Sequence, residues 1–198
     1  MNQYISDTKF AAEKLIDLIR EEEELLSEMR EEYLRRKQSH EHLLTDFNTK
    51  DLQEDFNEHE VMHAFGRQAR YYQEKVKPIL DEVHTLEDSM KNKEFSICAL
   101  SGALLQIAKQ GISYVHGGLD ACQDGRMIRG DVLKNVIWYG RNQSLHFEEG
   151  NYRKPLIACF RKLGYKTVPS RNLGKEIIDI LEWTTYERYE DDMNALLS

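Results

Sequence analysis

Residues 141–146 read RNQSLH, so a permanently charged guanidinium stands five positions before an imidazole. A histidine such as His146, whose ordinary pKa is about 6.5, can accept or donate a proton near neutral pH. Arg141 offers a planar cation with several donors, which can stabilise negative charge on a phosphoryl group. Side chains five residues apart on a regular helix point roughly 140° apart. We therefore expect the helix to end or distort here, or a second chain to complete the site.

A second pattern, at residues 59–63, reads HEVMH and has the spacing of a zinc site on a helix. His59 and His63 are four positions apart and share a helix face, so both could bind zinc while Glu60 polarises a bound water. Glu82 is a third ligand that the spacing allows. The pattern belongs to a long acidic helix without a sheet edge to hold an extended peptide, which favours a histidine pair without metal. We expect no metal and no organic cofactor.

The charge of the chain is unevenly distributed. Residues 1–93 carry 14 Lys and Arg against 22 Asp and Glu, whereas residues 94–198 carry 13 of each. Within the second half, residues 126–175 contain eleven basic side chains and three acidic ones. Such an excess suits a phosphate backbone, because each Lys or Arg near a phosphate releases counterions. Seven basic residues are expected beside that backbone, unless they pair with the acidic tail or hairpin: Arg126, Arg129, Lys134, Arg153, Lys154, Arg161 and Lys162.

The first half of the chain has the pattern of a helical hairpin. Apolar residues recur at helical spacing from residue 7 to about residue 47, with acidic residues opposite: Leu15, Ile19, Leu26, Met29 and Tyr33, widened by Leu18 and Leu25. Residues 48–51, NTKD, predict a turn, after which a second helix starts near Leu52. Pro78 lacks a backbone donor and crowds the preceding turn, so this helix should kink or restart there and continue to Met90. Residues 1–93 are predicted to form this acidic hairpin.

Residues 94–198 have the pattern of a domain of shorter, more apolar helices. Residues 95–110 are apolar on nearly every face, as expected for a helix surrounded by neighbours. Further helices should begin near Asp131, running through Tyr139, near Pro155 and near Asn172. Turns or helix ends are expected at the glycines Gly111, Gly117, Gly118, Gly125 and Gly130. No alternating strand pattern is present, so we predict an all-α fold, a helical bundle preceded by a long helical hairpin.

Cysteine usage and hydropathy favour a cytoplasmic protein. The three cysteines, Cys98, Cys122 and Cys159, are odd in number and widely spaced, which is typical of reduced thiols. Residues 1–10 contain no apolar segment of the kind that directs export. The most apolar stretch, residues 97–108, is too short to span a bilayer. We therefore expect no membrane partner.

The segment VIWYGRNQSLH, residues 136–146, resembles the HEPN family, the higher-eukaryote and prokaryote nucleotide-binding domain. RNase members of that family carry an Arg-x4-6-His motif, often in the form Arg-Asn-x3-His. The resemblance covers residues 95–198 and rests on this motif and on the layout of helices. It implies a metal-independent endoribonuclease that cleaves RNA by attack of a 2'-hydroxyl, acting as a homodimer whose two motifs meet across a symmetric cleft.

The resemblance also implies roles for individual residues. His146 is the general acid or base, Arg141 stabilises the phosphoryl charge, and Asn142 orients His146 or contacts the phosphate. Four aromatic residues could stack on bases, although such residues more often belong to the core: Tyr114, Trp138, Tyr139 and Tyr165. A role in defence or as a toxin, with a protein inhibitor or antitoxin as partner, follows from the resemblance alone.

One position departs from the toxin subgroup of the family. Those members carry a tyrosine two positions after the histidine, where a partner modifies it, whereas this chain has Glu148. This departure puts control by that route in doubt. Two other functions stay open: a non-catalytic HEPN-like module that binds a protein or RNA, and a zinc metallohydrolase built on His59 and His63.

Overall fold

A computed structural model describes residues 2–50 and 58–198 and shows an all-α protein, which confirms the predicted class. A two-stranded antiparallel hairpin, β1 (Met127–Ile128) and β2 (Asp131–Val132), precedes the fourth helix. The sequence did not predict this β-hairpin or the C-terminal helix, Tyr186–Leu196. The helices are α1 (Gln3–Lys50), α2 (Glu58–Tyr71), α3 (Lys77–His116), α4 (Leu133–His146), α5 (Lys154–Lys162), α6 (Gly174–Leu181) and α7 (Tyr186–Leu196).

The chain divides into two compact units: a motif unit, Met1–Glu23 with Phe95–Ser198, and a hairpin unit, Glu24–Glu94. The predicted domains, 1–93 and 94–198, differ from this division because residues 1–23 belong to the motif unit. The start of α1 has an apolar face on which Ile5, Ala12 and Ile16 are buried. Tyr4 also donates a hydrogen bond from Oη to the Ile107 carbonyl, at 2.7 Å. Burial of this face attaches the first turns of α1 to the second half of the chain.

In the hairpin unit, the later part of α1 runs antiparallel to the following helices. Partner numbers fall as α1 advances, through the pairs Arg30–Glu94 at 2.8 Å, Tyr33–Glu87 at 2.8 Å and Arg36–Glu82 at 2.9 Å. Helix α1 reaches Lys50, beyond the predicted end near residue 47. The predicted turn residue Asp51 and the predicted helix start at Leu52 lie outside the described residues.

Helix geometry changes next to Pro78, as predicted. A π-helical turn, Tyr72–Val76, separates α2 from α3, and the Lys77 N–H bonds to the Tyr72 carbonyl five residues earlier. Pro78 offers no N–H for a regular bond one turn back, and the wider π turn accommodates that missing donor. Helix α3 then runs past Met90 to His116. The end of the hairpin and the first helix of the second half are therefore one continuous helix.

The part of α3 from Phe95 to His116 is the core helix of the motif unit. Its residues Leu104, Leu105, Ala108 and Ile112 are completely buried. The stretch Phe65–His116 is long and apolar enough to cross a membrane by length and composition alone, and 44% of its most apolar window is buried. A helix at the centre of a folded unit meets the same criteria.

Glycines have two different roles in the motif unit. Gly117, Gly125 and Gly130 adopt positive φ angles of 75°, 69° and 115°, and they mark turns or a helix end as predicted. Gly111 does not, because it lies inside α3. A Cβ on Gly111 would come within 2.8 Å of the Tyr4 ring, so this glycine permits close helix packing.

The predicted helix starts are accurate to within a few residues. Pro155 lies in the first turn of α5, and the Asn172 side chain accepts a hydrogen bond from the N–H of Gly174 at 2.8 Å. Asp131 does not cap α4, whose N-cap is Val132. The Asp131 carboxylate is buried and bound by Asn135 at 2.9 Å and by Lys162 at 3.2 Å. Helix α4 also continues past the predicted end at Tyr139 to His146.

Candidate functional site

Helix α4 carries the Arg-Asn-x3-His motif in its last two turns. Gly140 allows α4 to approach α6 closely, because a Cβ there would lie 2.7 Å from Cγ2 of Ile177. Gln143 is completely buried; it donates to the Arg171 carbonyl at 2.6 Å and accepts from the Leu173 N–H at 3.0 Å. These contacts fix the rotation of α4 and therefore the side on which each motif residue emerges.

His146 is the last residue of α4, and its side chain is 51% exposed. Its Nδ1 lies 2.8 Å from Oε1 of Glu149, which belongs to the 3-10 turn Phe147–Glu149. An ionised carboxylate can only accept a hydrogen bond, so Nδ1 carries the proton and donates. In the neutral ring Nε2 is then the basic nitrogen, available to a substrate.

A cleft of about 460 Å³ lies between α4 and the start of α5. Asn142 and His146, four residues apart on one helix face, both line it. The other lining residues are Trp138, Tyr139, Glu149, Asn151, Tyr152, Arg153, Pro155 and Leu156. The cleft therefore combines a proton-transfer group, a carboxylate, a cation, two amides and three aromatic rings, and its volume suits a small organic ligand.

Arg141 emerges on another side of α4 and does not line this cleft in the part of the chain that the structure describes. Its Nε donates to the Gln106 side chain on α3, and its Nη1 donates to Asn142 Oδ1 at 3.2 Å. Burial lowers the pKa of the Arg141 guanidinium. Because α4 stays helical until it ends at His146, the Cα–Cβ bonds of Arg141 and His146 leave the helix about 140° apart.

Two of the seven predicted phosphate-binding residues have structural roles. Arg126 binds the buried carboxylate of Asp192 through Nε at 2.7 Å and Nη2 at 2.9 Å. Lys134 binds the Asp124 carboxylate at 2.9 Å and the Cys122 carbonyl at 2.7 Å. These ion pairs favour the alternative of pairing with acidic side chains, and the predicted contact of Arg126 and Lys134 with a phosphate backbone stays a prediction. The sequence could not show which basic residues are paired, because the acidic partners of Arg126 and Lys134 lie near the C-terminus and in a loop.

The remaining five basic residues reach solvent. Lys162 is half-exposed, although its Nζ lies 3.2 Å from Asp131. The other four are exposed or at the surface and form no ion pair with any residue of ranges 2–50 and 58–198: Arg129, Arg153, Lys154 and Arg161. A polyanion can therefore reach all four of these unpaired cations.

Two of the four predicted stacking residues line the cleft, and the other two lie elsewhere. Trp138 and Tyr139 line the cleft, and the Lys109 ammonium lies 4.3 Å from the centre of the Trp138 ring. Tyr165 packs against Phe160 and donates to Glu176 at 2.8 Å, while Tyr114 is exposed at the far end of α3. Tyr152 lines the cleft but was not a predicted site residue. In the sequence, only the position of Tyr152 between the motif and Pro155 indicated that it could belong to the site.

The zinc hypothesis gains no support from the described residues. Among them no group of three or more His, Cys, Asp and Glu side chains is arranged to hold a metal. Glu82, the third ligand that spacing allowed, binds Arg36 at 2.9 Å. His59 and Glu60 lie in α2, but their side chains are outside the described part of the structure.

No protein-family model, curated protein or solved structure gives a significant match to this chain. The fold defines the class, an all-α protein with a histidine-containing cleft at the end of α4. The resemblance to the HEPN family rests on the motif and on the helix layout.

Proposed function

We propose that this protein is a metal-independent endoribonuclease of HEPN type. The observation that carries the proposal is the pairing of His146 with Glu149 at the edge of the cleft, at 2.8 Å between Nδ1 and Oε1. This pairing holds the imidazole in one tautomer, with Nε2 left for the substrate. Arg153 and three aromatic rings in the same cleft suit a phosphate and an unstacked base.

The chemistry follows from these groups. His146 Nε2 removes the proton of a 2'-hydroxyl, and the resulting 2'-oxygen attacks the adjacent phosphorus. The bond from phosphorus to the 5'-oxygen breaks, that oxygen takes a proton, and a 2',3'-cyclic phosphate remains. Because RNA supplies its own nucleophile, the reaction requires no metal-activated water.

A second copy of the chain completes the site in this proposal. Arg141 does not line the cleft of its own chain, and its guanidinium is held by Gln106 and Asn142, so in this proposal a partner supplies the guanidinium that stabilises the phosphoryl charge. Leu145, next to His146, is 48% exposed. An exposed apolar side chain beside a site, such as Leu145, favours burial of the site against another protein surface.

The test is cleavage of single-stranded and structured RNA in EDTA by the unmodified protein and by the His146→Ala and Arg141→Ala variants. We expect cyclic-phosphate products from the unmodified protein, and none from either variant. Arg188→Ala, which removes an exposed arginine bound to Glu182, is the charge-matched control. Cleavage that persists in His146→Ala, or that only EDTA abolishes, would contradict the proposal.

A non-catalytic RNA-binding or interaction module is the second candidate. The hydrogen bonds of Arg141 to Gln106 and Asn142 within its own chain favour it, because they give the arginine a structural role. RNA binding without any cleavage in the same assay would support this module instead of the nuclease.

Glu149 is expected to act as a positioning residue for His146. Glu149→Ala removes the acceptor of the Nδ1 proton, and we expect kcat to fall about 10- to 100-fold with KM unchanged, because the imidazole loses its orientation. Glu149→Gln, whose amide oxygen can still accept, should retain most of the activity. Glu148→Ala removes the neighbouring exposed carboxylate and is the control. Equal losses in Glu148→Ala and Glu149→Ala would show that only the local negative charge matters.

A further inference from the structure

We propose that RNA reaches the cleft as a single strand along a cationic track of four residues: Arg153, Lys154, Arg161 and Arg129. The track deepens the proposed function, since it names the form of RNA and the path it takes. Its binding step does not require cleavage, so it can be tested separately from the nuclease reaction.

The track begins at the cleft. Arg153 lines the cleft and is the N-cap residue of α5. Lys154 and Arg161 are seven residues apart on α5 and therefore lie on the same helix face. The opposite face of α5 is buried through Leu156, Cys159 and Phe160. The two cations thus point to solvent along a helix of nine residues, about 13 Å long.

The turn of the β-hairpin extends the track past the end of α5. A Cβ on Gly130 would lie 3.7 Å from the Lys162 carbonyl, which places the β1–β2 turn against the last residue of α5. Arg129, immediately before Gly130, is exposed. Arg129 is therefore an exposed cation next to the C-terminal end of α5, and it is the last residue of the proposed track.

The charges on this surface are free rather than neutralised. Arg126 and Lys134 are bound by carboxylates, whereas the four track residues form no ion pair with any residue described by the structure. A charged residue without a protein partner keeps its full attraction for phosphate, and the attraction is independent of base sequence.

The backbone of Arg129 has a conformation that is more favourable for glycine than for arginine. Its φ angle is 51°, in the left-handed region that glycine adopts readily and that a residue with a Cβ adopts only at a cost. Glycine would fit this turn better, yet the chain carries an arginine there. A surface cation at a strained position is consistent with a binding role.

The cleft at the end of the track favours single-stranded RNA over duplex RNA and over an acidic protein. Trp138, Tyr139 and Tyr152 line the cleft, and aromatic side chains stack on bases that are free of pairing. The bases of a duplex are stacked and paired, so they do not offer their faces to these rings, and the acidic side chains of a peptide have no ring to stack.

The test is equilibrium binding of the full-length His146→Ala protein to a short single-stranded RNA across a range of salt concentrations. Each phosphate contact contributes about 0.7 to the slope of log K against log salt for single strands. We expect Arg153→Gln, Lys154→Gln and Arg161→Gln each to lower that slope by about 0.7. Arg188→Gln, with the same change in charge at an arginine paired with Glu182, should leave the slope unchanged.

Arg129→Gly separates binding from folding. This variant removes the cation at a backbone position that glycine favours, so the melting temperature should stay equal or rise while the slope falls by about 0.7. Unchanged slopes in all four variants would overturn the track. Equal affinity for duplex RNA or for poly-glutamate would overturn the single-strand assignment. If the salt slopes fall as expected but the unmodified protein does not cleave RNA, the result would support the track and contradict the nuclease proposal.

Discussion

Mixing the Arg141→Ala and His146→Ala variants is expected to restore RNA cleavage that neither variant performs alone. Each single substitution should lower kcat by about 10²- to 10⁴-fold, the usual effect of losing a proton-transfer group or an electrostatic stabiliser. In a mixed dimer, however, the intact His146 of one chain can meet the intact Arg141 of the other. Random mixing of a two-fold symmetric dimer gives half mixed dimers with one complete site each, so roughly a quarter of the activity should return.

The physical basis of this expectation is the direction of the two side chains. His146 lines the cleft, whereas Arg141 is bound to Gln106 on α3 and to Asn142. The measurement is cleavage rate against mixing ratio, with dimer formation followed by native mass spectrometry. The double variant Arg141→Ala/His146→Ala mixed with either single variant is the control and should stay inactive. Mixed dimers without restored activity would show that each site uses Arg141 and His146 of one chain.

Asp192→Ala is expected to cause the largest loss of stability, about 3 kcal/mol in the free energy of unfolding. The Asp192 carboxylate accepts two hydrogen bonds from Arg126 and a third from Trp183 Nε1 at 2.8 Å. Its removal leaves the partly buried guanidinium without a counter-charge and the buried indole N–H without an acceptor. The loss should fall at the lower end of the range for broken buried pairs, because Arg126 still donates to the Leu181 carbonyl at 2.6 Å.

Urea denaturation measures this loss, and Arg188→Ala is the matched control. The pair of Arg188 and Glu182 is equally close, at 2.6 Å, but exposed, so solvent already screens the attraction. The control should leave the free energy of unfolding nearly unchanged. Equal destabilisation by the two substitutions would show that burial of Asp192 does not govern the strength of the cluster formed by Arg126, Asp192 and Trp183.

Local features of the sequence predicted much of the secondary structure. The change of geometry next to Pro78, the start of α5 at Pro155 and the turns at Gly117, Gly125 and Gly130 all depend on backbone constraints within one turn of the residue. The predicted turn at Gly111 was wrong because this glycine makes room for the Tyr4 ring, which comes from a distant part of the chain. The attachment of residues 1–23 to the second half was missed for the same reason.

The sequence by itself determined that the chain is helical and that Arg141 and His146 lie on different sides of their helix, since periodicity and a 3.6-residue turn are local properties. Only the tertiary structure decided which charged groups stay free. Arg126 is bound by Asp192, 66 positions away, whereas Arg153 faces the cleft without an acidic partner among the described residues. Pairing of charges depends on distances in space, and folding alone brings such distant residues together.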